Sequence, residues 1–168
     1  MTVAERLFAV PQEQTTSDDY YTPAWVFERM GIRFDLDVCA PPGGIPWIPA
    51  DRFYTQEDDG LASPWSGRVW MNPPYSDVTP WWDRFAEHGN GVGLVPTAKA
   101  HWMSRVWNES DGIVIPPGTS YRGKGAGDMD FPRPSGVPLR IWFPVLFAAF
   151  GNECVEAISR LGTVRVAA

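Results

Sequence analysis

The sequence predicts an α/β domain in which a mostly parallel sheet is layered with helices, and two observations support this prediction. Apolar runs of strand length recur along the chain, and segments with apolar residues three or four positions apart lie between them. Strands that alternate with helices favour parallel pairing, because each helix returns the chain to the same edge of the sheet. The length of 168 residues suits one domain. We therefore expect a polar lead-in over residues 1–19 and a single domain over residues 20–168.

The first half of the chain predicts one helix, one strand and a long irregular segment. TPAWVFERMGI is typical of a helix with Thr22 as cap, Pro23 at the first helical position and Gly31 as the stop. RFDLDVCA follows as a strand whose carboxylates interrupt an apolar alternation. The next stretch, PPGGIPWIPADRFYT, is rich in proline and glycine, so we expect at most a short strand near Phe53 and Tyr54.

The second half predicts the remaining strands and three more helices. GRVWMNPP indicates a buried strand that ends in a turn, and a helix should follow from about Thr79 to His88. GVGLVPT and GIVIPP are short apolar runs on either side of the amphipathic segment AHWMSRVWNES. IWFPVLFAAFG predicts one or two late strands, and NECVEAISRLG predicts a final helix.

Composition and charge limit the possible classes of protein. Hydrophobic residues make up 44% of the chain and aromatic residues 14%, which is typical of a globular protein. The formal charge of -6 argues against binding nucleic acid mainly by bulk attraction, although a local basic patch is compatible with it. The two cysteines lack metal-ligand spacing, and neither a signal peptide nor a membrane span is evident. We expect a cytoplasmic protein without a metal site.

The stretch VWMNPPYS places a rigid polar turn directly after a strand, where open α/β sheets bind their ligands. Two prolines fix φ and remove two donors, which leaves the Pro73 carbonyl and the Asn72 amide free to face outward. Two neighbouring acceptors suit an amino group, and hydrogen bonds to both its protons would aim the nitrogen lone pair at an electrophile. Tyr75 offers a flat face for a planar base, a stacking contact of about 1–3 kcal/mol. The alternative is a simple turn in a chain with 17 prolines.

Four stretches in order resemble a known family: YTPAWVFERM, FDLDVCAPPG, FYTQEDDGLASPWSG and VWMNPPYSDVTPWW. Together they are similar to the DNA adenine-N6 methyltransferases of phages, which use S-adenosylmethionine, over residues 20 to about 105. The resemblance implies a Rossmann-like class I methyltransferase fold. It implies that Tyr21, Thr22 and Pro23 lie near the methionine end of the cofactor and that Asp37 faces its amino or ribose groups. Asn72, Pro73, Pro74 and Tyr75 would then hold the target amine.

The chain also departs from this family. The glycine-rich loop that many methyltransferases carry after the first strand is absent, and DVCAPPGG stands in its place. The glycines of GVGLVP and YRGKGAGD do not follow a strand and open a helix, so they do not form a dinucleotide fingerprint. Beyond residue 110 the resemblance becomes weak, and target recognition is the least determined part of the site.

Other candidate residues have both a functional and a structural interpretation. Asp58 and Asp59 in EDDGL could bind the ribose or adenine of the cofactor, or form a solvated turn, and we assign Asp59 to the cofactor. Trp81 could line the pocket of the target base, or pack in the core. Arg122 and Lys124, between glycines, suit DNA phosphates, or belong to an ordinary surface loop. His88 and His101 lie apart from one another and from any carboxylate pair in the sequence, so we interpret them as surface or helix-end residues. The reaction needs no general base.

The sequence therefore predicts a methyltransferase that uses S-adenosylmethionine and acts on the N6 amino group of adenine in double-stranded DNA. Duplex adenine would have to be flipped out of the helix into the pocket. An alternative is an enzyme of the same motif that methylates RNA or protein glutamine. A second alternative is a catalytically silent DNA-binding or interaction protein of the same fold, which would lack affinity for the cofactor. A phage-encoded protein would work in the cytoplasm of its bacterial host.

Overall fold

The computed structural model describes residues 20–97, 101–116, 130–131, 139–140 and 144–167. Four α-helices lie in these ranges: α1 (Ala24–Met30), α2 (Thr79–His88), α3 (Trp102–Glu109) and α4 (Asn152–Ser159). The strands are β1 (Phe34–Asp37), β2 (Ala50–Phe53), β3 (Val69–Met71), β4 (Gly91–Pro96), β5 (Gly112–Val114), β6 (Asp130–Phe131), β7 (Leu139–Arg140), β8 (Val145–Phe150) and β9 (Val164–Val166). The predicted lead-in, residues 1–19, lies outside the described residues.

The main sheet is mixed, so the prediction of a mostly parallel sheet is not confirmed. Its seven strands lie in the order β2-β1-β3-β4-β8-β5-β9. The ladders that join β2, β1, β3 and β4 are parallel, whereas β8 is antiparallel to both β4 and β5, and β9 is antiparallel to β5. Strands β1 to β5 thus run in one direction, and β8 and β9 run in the other. An apolar run marks a buried strand but carries no information about its direction.

Helices cover both faces of the sheet, as the alternation predicts. On one face, α1 and α4 pack into a cluster that includes Phe27, Trp70 and Phe147, with the Phe27 and Trp70 rings 4.8 Å apart. On the other face, α2 and α3 pack into a second cluster around Trp82 and Phe85. Burying these aromatic side chains contributes roughly 1.5–3 kcal/mol each. The two layers hold the strand ends at which the candidate site forms.

The N-terminus of α1 differs from the prediction, and its C-terminus agrees with it. The cap is Pro23 and not Thr22, because the Val26 N–H bonds to the Pro23 carbonyl, and no side chain caps this end. Thr22 is fully buried one residue earlier. Gly31 ends the helix with a φ of 63°, and its N–H donates to the Phe27 carbonyl at 2.9 Å.

Most other predicted elements are confirmed. Helix α2 has the predicted bounds, and the short strand expected near Phe53 and Tyr54 is β2, which ends at Phe53. The late apolar run contains β8, β7 ends directly before it, and the final helix is α4. Strand β9 was not predicted. Its three residues follow the last helix, and only its pairing with β5 makes it a strand.

Within the described part of the chain, no helix is both long and apolar enough to cross a membrane.

Candidate active site

A cavity of about 430 Å³ opens where β1, β2 and β3 end. The three strands are parallel, so their carboxyl ends lie at the same edge of the sheet. The cavity lining includes six residues that the sequence predicted for cofactor, catalysis or DNA: Tyr21, Asp37, Asp59, Asn72, Pro74 and Trp81. Residues 50 positions or more apart in the chain are thus brought together by the sheet.

Asp37 is the last residue of β1, and its side chain is 4% exposed. Its Oδ1 accepts a hydrogen bond from the backbone N–H of Cys39 at 3.2 Å. Burial raises the pKa of Asp37 to about 7, and the Cys39 N–H opposes this only in part. A ligand that donates hydrogen bonds to this carboxylate would favour its ionised form.

Asp35, two residues earlier on β1, has a different environment. It is exposed, and its Oδ2 accepts a hydrogen bond from the backbone N–H of Arg68 at 2.6 Å. Asp35 does not line the cavity. Of the two carboxylates in the FDLD strand, only Asp37 is placed to meet a ligand.

Asn72 follows β3 and lines the cavity with its side-chain amide anchored at one end. Its Nδ2 donates to the backbone carbonyl of Tyr20 at 2.7 Å, and this bond assigns the orientation of the amide. Because the nitrogen is engaged on one side, the acceptor Oδ1 lies on the other side of the same planar group. The side chain therefore offers an acceptor with a fixed orientation.

Sequence reasoning missed two residues that support Asn72. The carbonyl of Tyr20 is the partner of its amide, and the indole Nε1 of Trp47 donates to the carbonyl of Thr22 at 2.8 Å. These two hydrogen bonds attach the segment before α1 to the site. Backbone carbonyls leave no signature in a sequence, although the position of Tyr20 directly before the YTP stretch could have drawn attention to it.

Only part of the rest of the Asn-Pro-Pro-Tyr turn lines the cavity. Pro73 is buried, and Pro74 lines the cavity. Tyr75 is half-buried outside the cavity lining, with its ring centroid 6.1 Å from that of Tyr20. Burial, and then the charges of Cys39 and Tyr20, raise the pKa of the Tyr75 phenol above its usual range, so the hydroxyl stays protonated.

Thr22 and Pro23, predicted near the cofactor, lie behind the lining and do not reach it. Thr22 is fully buried, and its Oγ1 has no partner within the described residues. Its neighbour Tyr21 does line the cavity. The YTP segment therefore approaches the cavity through the tyrosine.

The two aspartates of EDDGL have different roles. Asp58 caps the short 3-10 turn Gln56–Asp58, because its carboxylate accepts from the N–H and the hydroxyl of Thr55, both at 2.8 Å. These bonds lower the pKa of Asp58. Asp59 adopts a left-handed φ of 50° and lines the cavity. The left-handed turn directs the chain so that Asp59, and not Asp58, reaches the cavity.

Of the remaining predicted residues, some lie in the described part of the chain and others lie outside it. Trp81 lines the cavity beside Gly60, whereas Arg122 and Lys124 lie outside the described residues and stay predictions. The histidines do not line the cavity: His88 contacts the Gly67 carbonyl at 2.7 Å through Nε2, and His101 is exposed. In the part of the chain that the structure describes, no group of three His, Cys, Asp or Glu side chains could hold a metal ion.

The chemistry of the lining suits a nucleoside cofactor that carries an amino-acid chain. A volume of about 430 Å³ is within the range of ligand pockets. Asp37 supplies a buried carboxylate that accepts only one hydrogen bond from the described residues, which leaves capacity for ligand hydroxyl or amino groups. Tyr21 and Trp81 supply aromatic surface for a planar ring, so the residues present fit S-adenosylmethionine.

The fold and the cavity place this chain among the α/β proteins that bind a small ligand at the carboxyl ends of parallel strands. A profile of the DNA N-6-adenine-methyltransferase (Dam) family matches residues 10–115, well over half of the chain, and the chain belongs to this family. A DNA N-6-adenine-methyltransferase of Haemophilus phage HP1 is 38% identical to it over 73 residues. That alignment covers 40% of this chain and 40% of the phage protein.

The family match includes all the cavity-lining residues that the sequence predicted and ends before Arg122 and Lys124. The family membership confirms the resemblance found in the four ordered stretches.

Proposed function

We propose that this protein transfers a methyl group from S-adenosylmethionine to the N6 amino group of adenine in DNA. The observation that carries the proposal is the Asn72 side chain, which lines the cavity while its Nδ2 is engaged by the Tyr20 carbonyl. The amide is left with Oδ1, an acceptor, for a donor such as an exocyclic amine. Membership of the DNA N-6-adenine-methyltransferase family supports both the substrate and the methyl donor.

In this proposal the chain holds the methyl donor with residues on one side of the cavity. Asp37 accepts hydrogen bonds from its amino or ribose groups, Asp59 lies beside them, and Tyr21 covers the amino-acid end. Thr22 and Pro23 act from behind the lining by shaping the segment that carries Tyr21. When bound, S-adenosylmethionine supplies a methyl group attached to a positively charged sulfur.

The same proposal gives the Asn-Pro-Pro-Tyr turn the task of orienting the amine. Asn72 Oδ1 and the Pro73 carbonyl accept its two protons, which favours a pyramidal nitrogen whose lone pair is withdrawn from conjugation with the ring and aimed at the methyl group. Positioning of this kind contributes most of the rate, because little acid–base work is needed from the protein. The surplus proton can leave to solvent after transfer, because the methylated amine is cationic and acidic.

We extend the proposal to double-stranded DNA, in which the adenine must be flipped out of the helix at a cost of a few kcal/mol. Tyr75 would stack against the flipped base and offset this cost. Arg122 and Lys124 would contact phosphates, which gives the acidic chain a local basic patch. A phage relative supports the cytoplasm of a bacterial host as the place where protein and DNA meet.

We also propose that the domain is a Rossmann-like class I methyltransferase fold. Strands β1 to β5 run in one direction, and the cavity lies at the carboxyl ends of β1, β2 and β3, which supports this assignment. The reversed strand β8 between β4 and β5 is then part of the fold rather than an exception to it.

The test is methyl transfer from a labelled donor to separate DNA, RNA and protein substrates, followed by mass spectrometry of the digested products. We expect label in DNA alone, as N6-methyladenine, and almost none with Asn72→Ala. Label in RNA or in glutamine would assign the same site to another substrate. No transfer to any substrate, with no binding of S-adenosylhomocysteine, would identify a binding protein rather than an enzyme.

A further inference from the structure

The position of Trp81 in the cavity follows from the burial of the next residue, Trp82. Both residues lie in the first turn of α2, where Trp82 is fully buried and donates from its indole Nε1 to Glu109 Oε2 at 2.9 Å. Adjacent positions of a helix point about 100° apart, so anchoring Trp82 in the core leaves Trp81 to face elsewhere. Trp81 is half-buried and lines the cavity.

Gly60 lies directly against Trp81 in the cavity wall. A Cβ atom at position 60 would overlap the carbonyl oxygen of Val38 and lie 3.0 Å from the Trp81 indole. The backbone of Gly60 therefore passes between the end of β1 and the tryptophan ring with no room for a side chain. This close approach gives the cavity a wall made of peptide backbone and one indole.

Helix α2 also holds the loop that carries Gly60. The indole Nε1 of Trp65 donates to the Gly60 carbonyl at 2.7 Å. From α2, Arg84 donates to the carbonyls of Leu61 and Ser63, and its guanidinium lies 5.1 Å from the Trp65 ring centroid. Helix α2 thus carries Trp81 and, through Arg84, also holds the loop that contains Gly60.

We propose that Trp81 provides the surface on which the purine ring of the nucleoside methyl donor stacks, with the backbone of Gly60 packed against the indole to hold it in place. The inference rests on the proposed function, and it assigns to the cofactor a residue that the sequence placed at the target base. Trp81 shares its part of the lining with Val38 and Gly60, next to Asp59. The ring of Tyr75, by contrast, lies outside the lining and beside Tyr20, which packs edge-on against Phe131 at 5.8 Å.

The test is calorimetric titration of the whole protein with S-adenosylhomocysteine and, separately, with 5′-methylthioadenosine, in the absence of DNA. Trp81→Ala and Trp81→Leu should each weaken binding of both ligands by about 5- to 150-fold, because both remove the aromatic face. Trp81→Phe should stay within about fivefold of the unaltered protein. The loss should be the same for both ligands, since they share the purine and differ in the amino-acid chain.

Trp107→Ala is the matched control, because this tryptophan is exposed on α3 and does not line the cavity. It should leave both affinities unchanged, and thermal melting should show that each variant is folded. Normal affinity of Trp81→Leu for both ligands overturns the proposal. If that variant binds the ligands normally but loses 2-aminopurine fluorescence in target DNA, Trp81 belongs to the base pocket. Absence of binding by the unaltered protein contradicts the proposed function itself.

Discussion

At the scale of single residues, the site depends on one hydrogen bond that orients an amide. The Nδ2 of Asn72 donates to the Tyr20 carbonyl, so the acceptor Oδ1 is the atom left for a ligand. Either orientation of a free amide would be available in solution, and only one of them offers an acceptor to an amine. The backbone of a segment 52 residues away therefore decides the chemistry of this side chain.

Asn72→Ala should lower methyl transfer to DNA by about two orders of magnitude or more, because one preorganised polar partner of the reacting group is lost. Affinity for S-adenosylhomocysteine should stay nearly intact. Asn108→Ala, on the exposed face of α3, serves as the matched control and should retain full activity. Single-turnover kinetics together with calorimetry separates the two effects. An active Asn72→Ala protein would show that the turn has no catalytic role.

Asp37→Ala should weaken binding of S-adenosylhomocysteine by about 10- to 100-fold, the range for loss of hydrogen bonds to a charged group. Asp35→Ala removes an exposed carboxylate from the same strand and should leave the affinity close to that of the unaltered protein. Calorimetry on the three proteins makes the comparison. Equal affinities would remove Asp37 from the site.

Tyr75→Phe should keep most of the activity on duplex DNA, whereas Tyr75→Ala should lose roughly 1–3 kcal/mol of target binding. The phenylalanine retains the stacking surface and lacks only a hydroxyl. Fluorescence of 2-aminopurine at the target position reports on base flipping directly. The loss in Tyr75→Ala should shrink when the target is opposite an abasic site, where unpairing costs less. Equal damage from both substitutions would assign the role to the hydroxyl.

At the scale of secondary-structure elements, the position of Asn72 depends on how closely β4 approaches β3. Gly91 begins β4 in register with Val69, the first residue of β3. A Cβ atom at position 91 would overlap the Val69 carbonyl oxygen and lie 3.0 Å from the Phe85 ring. Glycine at this position therefore allows the two strands and α2 to pack together beneath the turn that carries Asn72.

Gly91→Ala should destabilise the fold by about 2–4 kcal/mol, since it combines a φ of +157° with overlap against neighbouring backbone. Gly89→Ala, at the end of α2, is the control: its φ of +68° is also positive, but the nearest atom lies at 3.9 Å. That change should cost only about 1–2 kcal/mol. Urea unfolding of both variants measures the difference, and equal losses would contradict the packing argument.

At the scale of the whole molecule, the proposed ligand-binding role of Asp37 opposes the stability of the ligand-free fold. The sheet buries this carboxylate at a strand end, where none of the described residues gives it a cationic partner, and burial raises its pKa to about 7. The ionised form of this carboxylate is the form that binds a ligand. When no ligand is bound, burying that charge lowers the free energy of unfolding. The cofactor should accordingly stabilise the protein most where Asp37 is ionised.

The free energy of unfolding should therefore respond to pH through Asp37. A folded-state pKa of about 7, above the ordinary value of 3.8, favours the folded protein while the carboxyl is protonated. This contribution is complete below pH 3.8 and is lost as the pH rises through about 7. The stability advantage of Asp37→Asn over the unaltered protein should grow across this interval and then level off. Urea unfolding between pH 4 and 8, without ligand, measures it, and a constant difference would show that Asp37 is not buried as described.

Local sequence determined the elements and the chemical types of the site. The bounds of α2, the end of α1 at Gly31 and the strand before Asn-Pro-Pro-Tyr follow from periodicity, proline placement and a left-handed glycine, which act over a few residues. The same local patterns, taken in order, identified the family that the sequence profile confirms. They also selected Asp37 and Asn72 as candidates, because polar residues at the ends of buried strands are rarely needed for the core.

Only the tertiary structure decided strand direction, the physical difference between neighbouring carboxylates, and the partners of the site. Apolar runs cannot show that β8 is antiparallel to β4 and β5, or that β9 pairs with β5, because direction depends on where distant segments meet. The sequence assigned Asp37 and Asp59 to the site, and the structure adds the physical difference from their neighbours: Asp37 is buried whereas Asp35 is exposed, and Asp59 has a left-handed φ. The bond from Asn72 to the Tyr20 carbonyl was hidden for the same reason, since every residue has such a carbonyl and only the folded chain brings this one to the site.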